Sequence, residues 1–350
     1  MKIIANTSPH LKRPNARVVR MMRDVVIALL PLVIFAIYNH GLTALWIMLA
    51  AVLSMVGTEY IYYQVHDLIK KEKFKLKNKN FTLYNYSILI SGMIYGLTIP
   101  DATPIMVVII GGVIAVLLVK LIFGGLGQNI FNIAAFGRAF IALSFGGAVA
   151  VSNLVDVDAG STVLTWLAQS PFSSNITDHY SFWDMFSGIG FPGSIGETSG
   201  LLIIAGGIYL GLRKSFDAYV PLVYVGTVFI LALAVMIQKD LGIWYPLTHV
   251  LSGGLLFGAV YMATDPITIP ITRPGRIYFA FGLGVLTFVI RLFGAYPEGV
   301  VFSLLIMNAF VPAIDFPTWS KNKFTLKSGL IFAAIVFLAI VAVMVGVQYV

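Results

Sequence analysis

Apolar segments follow one another along almost the whole chain, and this pattern constrains the fold more than any other feature. A helix needs about 20 apolar residues to cross about 30 Å of hydrocarbon. With 59% hydrophobic and 11% charged residues, the chain cannot bury its apolar surface in a water-soluble core. The sequence therefore predicts an all-α integral membrane protein, a polytopic bundle of about 10–11 transmembrane helices. The predicted spans run roughly over 24–39, 42–63, 84–99, 104–122, 130–150, 198–212, 218–236, 247–263, 276–293, 299–315 and 328–349.

Two of these spans, 84–99 and 198–212, are short for a full crossing and contain glycines. Hydrophobic segments of this kind can be tilted, broken or re-entrant. The sequence leaves these alternatives open.

Lysine and arginine are concentrated at two places, before the first span and in the loop after the second. Because basic residues are enriched on the cytoplasmic side, both places are predicted to be cytoplasmic. The loop over about 151–196 has no Lys or Arg, so it is predicted to face outward from the cytoplasmic (inner) membrane. This orientation explains the net charge of +8 more simply than binding to nucleic acid. The two basic clusters are Lys2, Lys12, Arg13, Arg17, Arg20 and Arg23, then Lys70, Lys71, Lys73, Lys75, Lys77 and Lys79.

Weak internal similarity relates residues 24–150 to residues 198–315. An odd number of spans in each half would give the halves opposite orientations, which predicts two inverted five-helix repeats as in many transport proteins. The predicted organisation is a cytoplasmic segment 1–23, the first repeat 24–150, an outward loop 151–197, the second repeat 198–315, and a cytoplasmic loop with an extra helix in 316–350. The matches are Gly92-x-x-x-Gly96 with Gly254-x-x-x-Gly258, Lys120-Leu-Ile-Phe-Gly with Arg291-Leu-Phe-Gly, and Ile130-Phe-Asn132 with Ile306-Met-Asn308.

Residue types limit the chemistry that this chain can perform alone. It contains no cysteine, which excludes disulfides and Cys-ligated iron–sulfur clusters, and its five histidines lack a spacing that would clamp a haem. The glycine-rich run Phe123–Asn132 suits either a bend near a ligand or close helix packing, and composition alone favours packing. Asp265, beside Pro266, either caps the next segment or lines an ion path.

Five motifs in order resemble the RnfD component of the Rnf-type ion-translocating ferredoxin:NAD oxidoreductases, and more distantly the NqrB component of the sodium-pumping NADH:quinone oxidoreductases. The resemblance covers nearly the whole chain. One departure is Ile133, where the family commonly has proline, and another is the extra C-terminal span. The motifs are Ser8-Pro9-His10, Phe123–Asn132, Gly193–Ser199, Met262–Pro266 and Arg291–Gly299.

The resemblance implies a covalent flavin in the outward loop. In the family a flavin transferase recognises a pattern like Asp-x-x-Ser-Gly-Ala-Thr and attaches FMN to the threonine through a phosphoester. The frame from Asp156 through Gly160 and Ser161 to Thr162 fits, although Ala159 and Ser161 exchange the usual small residues. Without the resemblance this segment is an ordinary polar turn. Thr162 is thus the predicted attachment site, with Ser161 as the adjacent alternative.

The resemblance further implies a second, noncovalent riboflavin-type cofactor nearer the helices, which the sequence does not locate. The implied partners are a second flavin-bearing subunit, iron–sulfur subunits and the transferase. We therefore expect a translocase subunit that carries electrons and helps to move Na⁺ or H⁺, without complete activity alone. The rival hypothesis is a small-solute channel or transporter, which an inverted repeat would suit equally well. A third is a scaffold for other subunits, without a bound chromophore.

Overall fold

A computed structural model describes residues 14–70, 81–146, 172, 181–189, 193–252, 254–294, 299–316 and 326–349. Within these residues the secondary structure is helical, without β-strands. The prediction of an all-α membrane protein is confirmed. The α-helices are α1 Pro14–Ile69, α2 Ser87–Leu97, α3 Ile105–Ala115, α4 Ile133–Ser144, α5 Phe182–Ser187, α6 Gly200–Leu212, α7 Tyr219–Lys239, α8 Trp244–Leu251, α9 Leu255–Phe257, α10 Arg273–Phe293, α11 Val300–Ile314 and α12 Leu326–Gly346.

Helix α1 contains two of the predicted spans, joined at a kink. Gly41 lies at φ 65° and ψ −150°, outside helical geometry. Glycine adopts a positive φ without a steric penalty, so the chain can change direction there. The kink falls between the predicted spans 24–39 and 42–63.

Helix length divides the described elements into two groups. Four helical stretches are long and apolar enough to cross a membrane, Val18–Ile69, Tyr219–Lys239, Arg273–Phe293 and Gly329–Gly346. Helices α2 and α6 are short, as the sequence predicts, but α4 and α11 are short too. The number of spans and the repeat layout therefore stay predictions.

The predicted span 247–263 differs from a continuous helix. Helix α8 ends at Leu251, Ser252 is extended, and Gly254 lies at φ 68° before α9 and a π-helical turn, Gly258–Met262. The guanidinium of Arg291 donates to the carbonyl of His249 at 2.5 Å and to that of Ser252 at 3.1 Å. These bonds satisfy carbonyl groups that the interruption deprives of helical partners. A break of this kind is tolerated at membrane depth when it is enclosed by protein.

The helices pack around one buried core, with α1 against α2, α3 and α6, and α10 against α7 and α11. Helix α11 also packs against α4, which joins the two predicted halves. Helix α12 lies at the periphery, where Gln238 of α7 donates to the carbonyl of Met344 at 2.9 Å. Large apolar side chains on the outer surface, such as Ile34 and Leu53, suit a lipid environment.

A fully buried ion pair lies where α1, the helical turn that follows α3, and a 3₁₀ turn at Thr82–Asn85 meet. The Lys120 ammonium lies 2.8 Å from Glu59 Oε1, and neither side chain is exposed. The Thr82 hydroxyl donates to both Glu59 carboxylate oxygens, at 3.0 and 2.8 Å, and Lys120 Nζ lies 2.5 Å from Thr82 Oγ1. Burying two charges is costly unless each finds such partners. Sequence reasoning gave Lys120 no partner and missed this contact.

Candidate ligand cavity between the two predicted halves

A cavity lies between the segments predicted as the first and second repeats, and residues of both line it. Its walls come from the start of α1, from α2, from the start of α4, and from the residues around Asp265. Asp265 is the one ionisable acid or base in the described lining that is ordinarily charged at neutral pH. The polar lining residues are Ser87, Ser91, Asn129, Asn132, Ser215, Tyr261, Thr264 and Asp265, set among apolar side chains.

The glycine-rich run forms one edge of this cavity. Gly124, Gly125 and Gly127 lie at φ 107°, 99° and 86°, so this run is a loop. The run is therefore a bend and not a helix, and Gly125 also lies close to α1, since a Cβ there would lie 2.7 Å from the phenol oxygen of Tyr63. A role of this bend in binding a ligand stays a prediction. The loop brings Asn129 to the cavity.

Asn129 supplies an unsatisfied acceptor at this edge. Its Nδ2 donates to the carbonyl of Phe131 at 3.1 Å, whereas its buried Oδ1 has no hydrogen-bond partner among the described residues. Leaving a buried acceptor unpaired costs about 1–3 kcal/mol. A ligand with an N–H or O–H donor would satisfy this oxygen.

Asn132 starts α4 as its N-cap, since its Oδ1 accepts from the backbone N–H of Ala135 at 3.1 Å. Asn is among the preferred residues at this position. Ile133 is then the first helical residue, a position where proline is also favourable because it needs no N–H there. The bend therefore forms without the proline that the family commonly has at this position.

Asp265 both caps a turn and lines the cavity. Its Oδ1 accepts from the backbone N–H of Ile267 at 3.2 Å, and its Oδ2 accepts from the Thr268 hydroxyl at 3.3 Å. The residue is half-buried. The two roles that the sequence leaves open are therefore compatible.

Two other cavities offer different chemistry. A groove beside α6 and α7 has a volume of about 730 Å³, against about 70 Å³ for the cavity between the predicted halves, and its apolar lining includes Ile208, Leu222 and Phe229. A polar recess next to the buried ion pair is lined by groups that include Tyr62, His66 and Thr82. Of these three, the cavity between the predicted halves combines polar groups from both of them with the unpaired oxygen of Asn129.

The predicted flavin-site residues Asp156, Gly160, Ser161 and Thr162 lie outside the described residues, and their assignment stays a prediction. The described end of the loop that is predicted to face outward packs on the helices. The backbone N–H groups of Ile195 and Gly196 donate to the carbonyls of Ile99 and Leu97, at 3.1 and 2.7 Å.

A second link joins the same segment to the kink of α1, where Asn39 donates to the carbonyl of Gly188 at 3.2 Å. Beside it, His40 Nδ1 lies 3.0 Å from Asp101 Oδ2. Sequence reasoning missed this pair, since residues 61 positions apart give no local signal.

The fold and the cavity define the class: an all-helical membrane protein in which an interrupted helix and a glycine loop border a polar site. The chain belongs to the NQR2, RnfD, RnfE family, whose model matches residues 4–323. The resemblance inferred from the motifs is thereby confirmed.

Relatives of known complexes align with 66–90% of this chain. The D component of the proton-translocating ferredoxin:NAD(+) oxidoreductase complex of Clostridium ljungdahlii is 36% identical over 321 residues, 89% of this chain and 92% of its own length. The D component of the Na(+)-translocating ferredoxin:NAD(+) oxidoreductase complex of Acetobacterium woodii is 34% identical over 319 residues, 90% of this chain and 93% of its own. The B component of the Na(+)-translocating NADH-quinone reductase of Chromohalobacter salexigens is 35% identical over 245 residues, 66% of this chain and 58% of its own.

Proposed function

We propose that this chain is a membrane subunit of an Rnf-type electron transport complex, which couples ferredoxin and NAD redox chemistry to the movement of Na⁺ or H⁺. The observation that carries the proposal is family membership over residues 4–323, together with relatives named as the D component of such complexes. One of these relatives is named for protons and another for Na⁺, so the names leave the ion open. The subunit works with partner chains, among them a second flavin-bearing subunit and iron–sulfur subunits.

Thr162 carries FMN in this proposal, with Asp156, Gly160 and Ser161 completing the frame that the transferase recognises. A phosphoester requires a hydroxyl that the enzyme can reach, and Gly160 leaves the backbone open beside Thr162. Support comes from the fit of this frame and from the charge pattern, which predicts that the loop faces outward.

The cavity between the predicted halves holds the noncovalent riboflavin-type cofactor. An isoalloxazine ring is planar and largely apolar, and it carries an imide N–H that can donate to an acceptor such as Asn129 Oδ1. Asn129, Ser87, Ser91 and Thr264 would hold and orient the ring, and the apolar lining would keep water from its faces. Bound there, the flavin would supply one- or two-electron transfer. Support comes from the unpaired oxygen of Asn129 and from the mixture of hydroxyl, amide and apolar groups.

One experiment tests both cofactors. We expect the chain, purified from a host that makes the transferase, to be yellow. Acid denaturation should leave FMN on the precipitated chain and release riboflavin into the supernatant. Thr162→Ala should abolish only the covalent fluorescence band, whereas Ser161→Ala, its matched control, should retain it. Asn129→Leu should reduce only the released fraction.

Each outcome bears on a separate assignment. Loss of the band in Ser161→Ala with retention in Thr162→Ala would move the attachment by one residue, and retention in both would refute it. A supernatant without flavin would refute the cavity assignment. A colourless chain would favour the channel or the scaffold, and solute uptake by proteoliposomes of the chain alone would separate those two.

A further inference from the structure

Asn308 is a buried amide on α11 that stands behind the cavity wall. Its side chain is almost inaccessible, and it does not line the cavity itself. Its Oδ1 accepts from the backbone N–H of Asn132 at 3.0 Å, and its Nδ2 donates to the carbonyl of Thr268 at 3.0 Å. The partners fix the orientation of the amide, since an N–H must face an oxygen and a carbonyl must face an N–H.

These two bonds reach two parts of the cavity lining, one from each predicted half. Asn132, in the wall from the first predicted half, caps α4 and also donates through Nδ2 to the carbonyl of Met262 at 3.4 Å. Thr268 belongs to the turn in the other wall, where its hydroxyl donates to the carboxylate of Asp265. One side chain therefore joins the start of α4 to the turn that contains Asp265.

We propose that Asn308 is a positioning residue that sets the separation of the two cavity walls and thereby the affinity of the site for the isoalloxazine ring. This inference rests on the proposed function of the cavity. Asn308 acts without touching the ligand. It fixes the capped end of α4 beside Asn129 on one side and the turn at Asp265 on the other. Inside a membrane protein, water cannot readily replace either bond, so both walls gain freedom when the amide is removed.

Two variants and one control separate this role from general stability. Asn308→Leu has a similar size and loses both bonds, whereas Asn308→Asp keeps an acceptor for the N–H of Asn132. The matched control is Ser303→Ala on the same helix. Ser303 is fully buried, and its hydroxyl bonds to Thr287 Oγ1 at 3.0 Å and to the carbonyl of Gly299 at 2.6 Å, neither of which lines the cavity.

The binding measurement is riboflavin titration, followed by quenching of its fluorescence, into the full chain depleted of noncovalent flavin in lipid nanodiscs. We expect Asn308→Leu to raise the dissociation constant about tenfold, because the loosened walls must then be ordered when the ring binds, and an ordering cost of about 1.4 kcal/mol is a factor of ten. Asn308→Asp should raise it too, because the second carboxylate oxygen cannot donate to the carbonyl of Thr268. Ser303→Ala should bind as the unmodified chain does.

The second measurement is hydrogen exchange of backbone amides in the flavin-free chain, which needs no cofactor. Exchange at Asn132 and over 265–268 should accelerate in Asn308→Leu and stay unchanged in Ser303→Ala. Unaltered exchange in Asn308→Leu, or unaltered affinity in both Asn308 variants, would overturn the positioning role. If Asn308→Leu fails to accumulate, Asn308→Asp decides by the same two measurements. An unmodified chain that binds no riboflavin would overturn the cavity assignment and, with it, the affinity role, whereas exchange would still report whether Asn308 joins the walls.

Discussion

At the residue scale, Asp265 both caps a turn and borders the polar cavity. Both of its oxygens accept hydrogen bonds within its own turn, from Ile267 and Thr268. The same side chain borders the polar cavity. A carboxylate near membrane depth is rarely retained without a partner or a function. We therefore propose that Asp265 caps the turn and also lines the ion path.

The first prediction separates these two roles. Asp265→Asn keeps an oxygen for the N–H of Ile267 and removes the charge, so membrane abundance should remain normal. Ion uptake by vesicles that contain the assembled complex should fall by about ten- to a hundredfold, because hydrogen bonds to a charged group contribute about 1.5–3 kcal/mol. Asp265→Ala, the comparison variant, loses the cap as well and should lower abundance. If Asp265→Asn reduces uptake only in proportion to abundance, capping is its sole role.

At the element scale, close packing between α6 and the π-helical turn holds one side of the cavity. Tyr261 in that turn lines the cavity and donates to the carbonyl of Ala28 on α1 at 3.2 Å. Gly206 on α6 leaves space for this phenol, since a Cβ there would lie 2.0 Å from its oxygen. Gly211, in the same helix, faces open space. A methyl group at Gly206 would therefore clash with Tyr261, whereas one at Gly211 would meet no other atom.

The second prediction uses this difference. Gly206→Ala should push Tyr261 from its position and lower stability by about 1–3 kcal/mol, as overpacking of a core does. Gly211→Ala adds the same methyl group without a clash and should leave stability unchanged or raise it, because alanine favours helix more than glycine. Thermal unfolding of both proteins in the same detergent measures the effect. Equal unfolding temperatures would contradict the assigned contact.

At the scale of the whole molecule, polar contacts join neighbouring segments at each of the two ends of the helix bundle. At one end Arg213 donates to Asp24 at 3.1 Å, and Arg276 donates to Asp217 at 3.0 Å. At the other end His40 pairs with Asp101. The charge pattern predicts that the first end is cytoplasmic and the second faces outward.

The third prediction tests this orientation directly. Because the chain has no cysteine, single cysteines at Asn80 and at Ser173 can be labelled without interference. An impermeant thiol reagent applied to intact cells should label the Ser173→Cys protein alone, and inverted vesicles should give the opposite result. Permeabilised membranes, in which both should react, provide the control. Labelling of both sites from one side would contradict the orientation.

The sequence by itself determined the membrane class, the boundary between the first two spans, and the family. These features are inferred from local composition and from motifs in a fixed order, and neither requires a three-dimensional structure. Only the tertiary structure decided that the glycine-rich run is a loop, that 247–263 is interrupted, and that Asn132 meets Asn308 across 176 positions. The contact between Lys120 and Glu59 belongs to the same group. Hydrophobicity identifies segments that enter lipid but does not say which of their polar groups face one another, because that depends on helix rotation and packing.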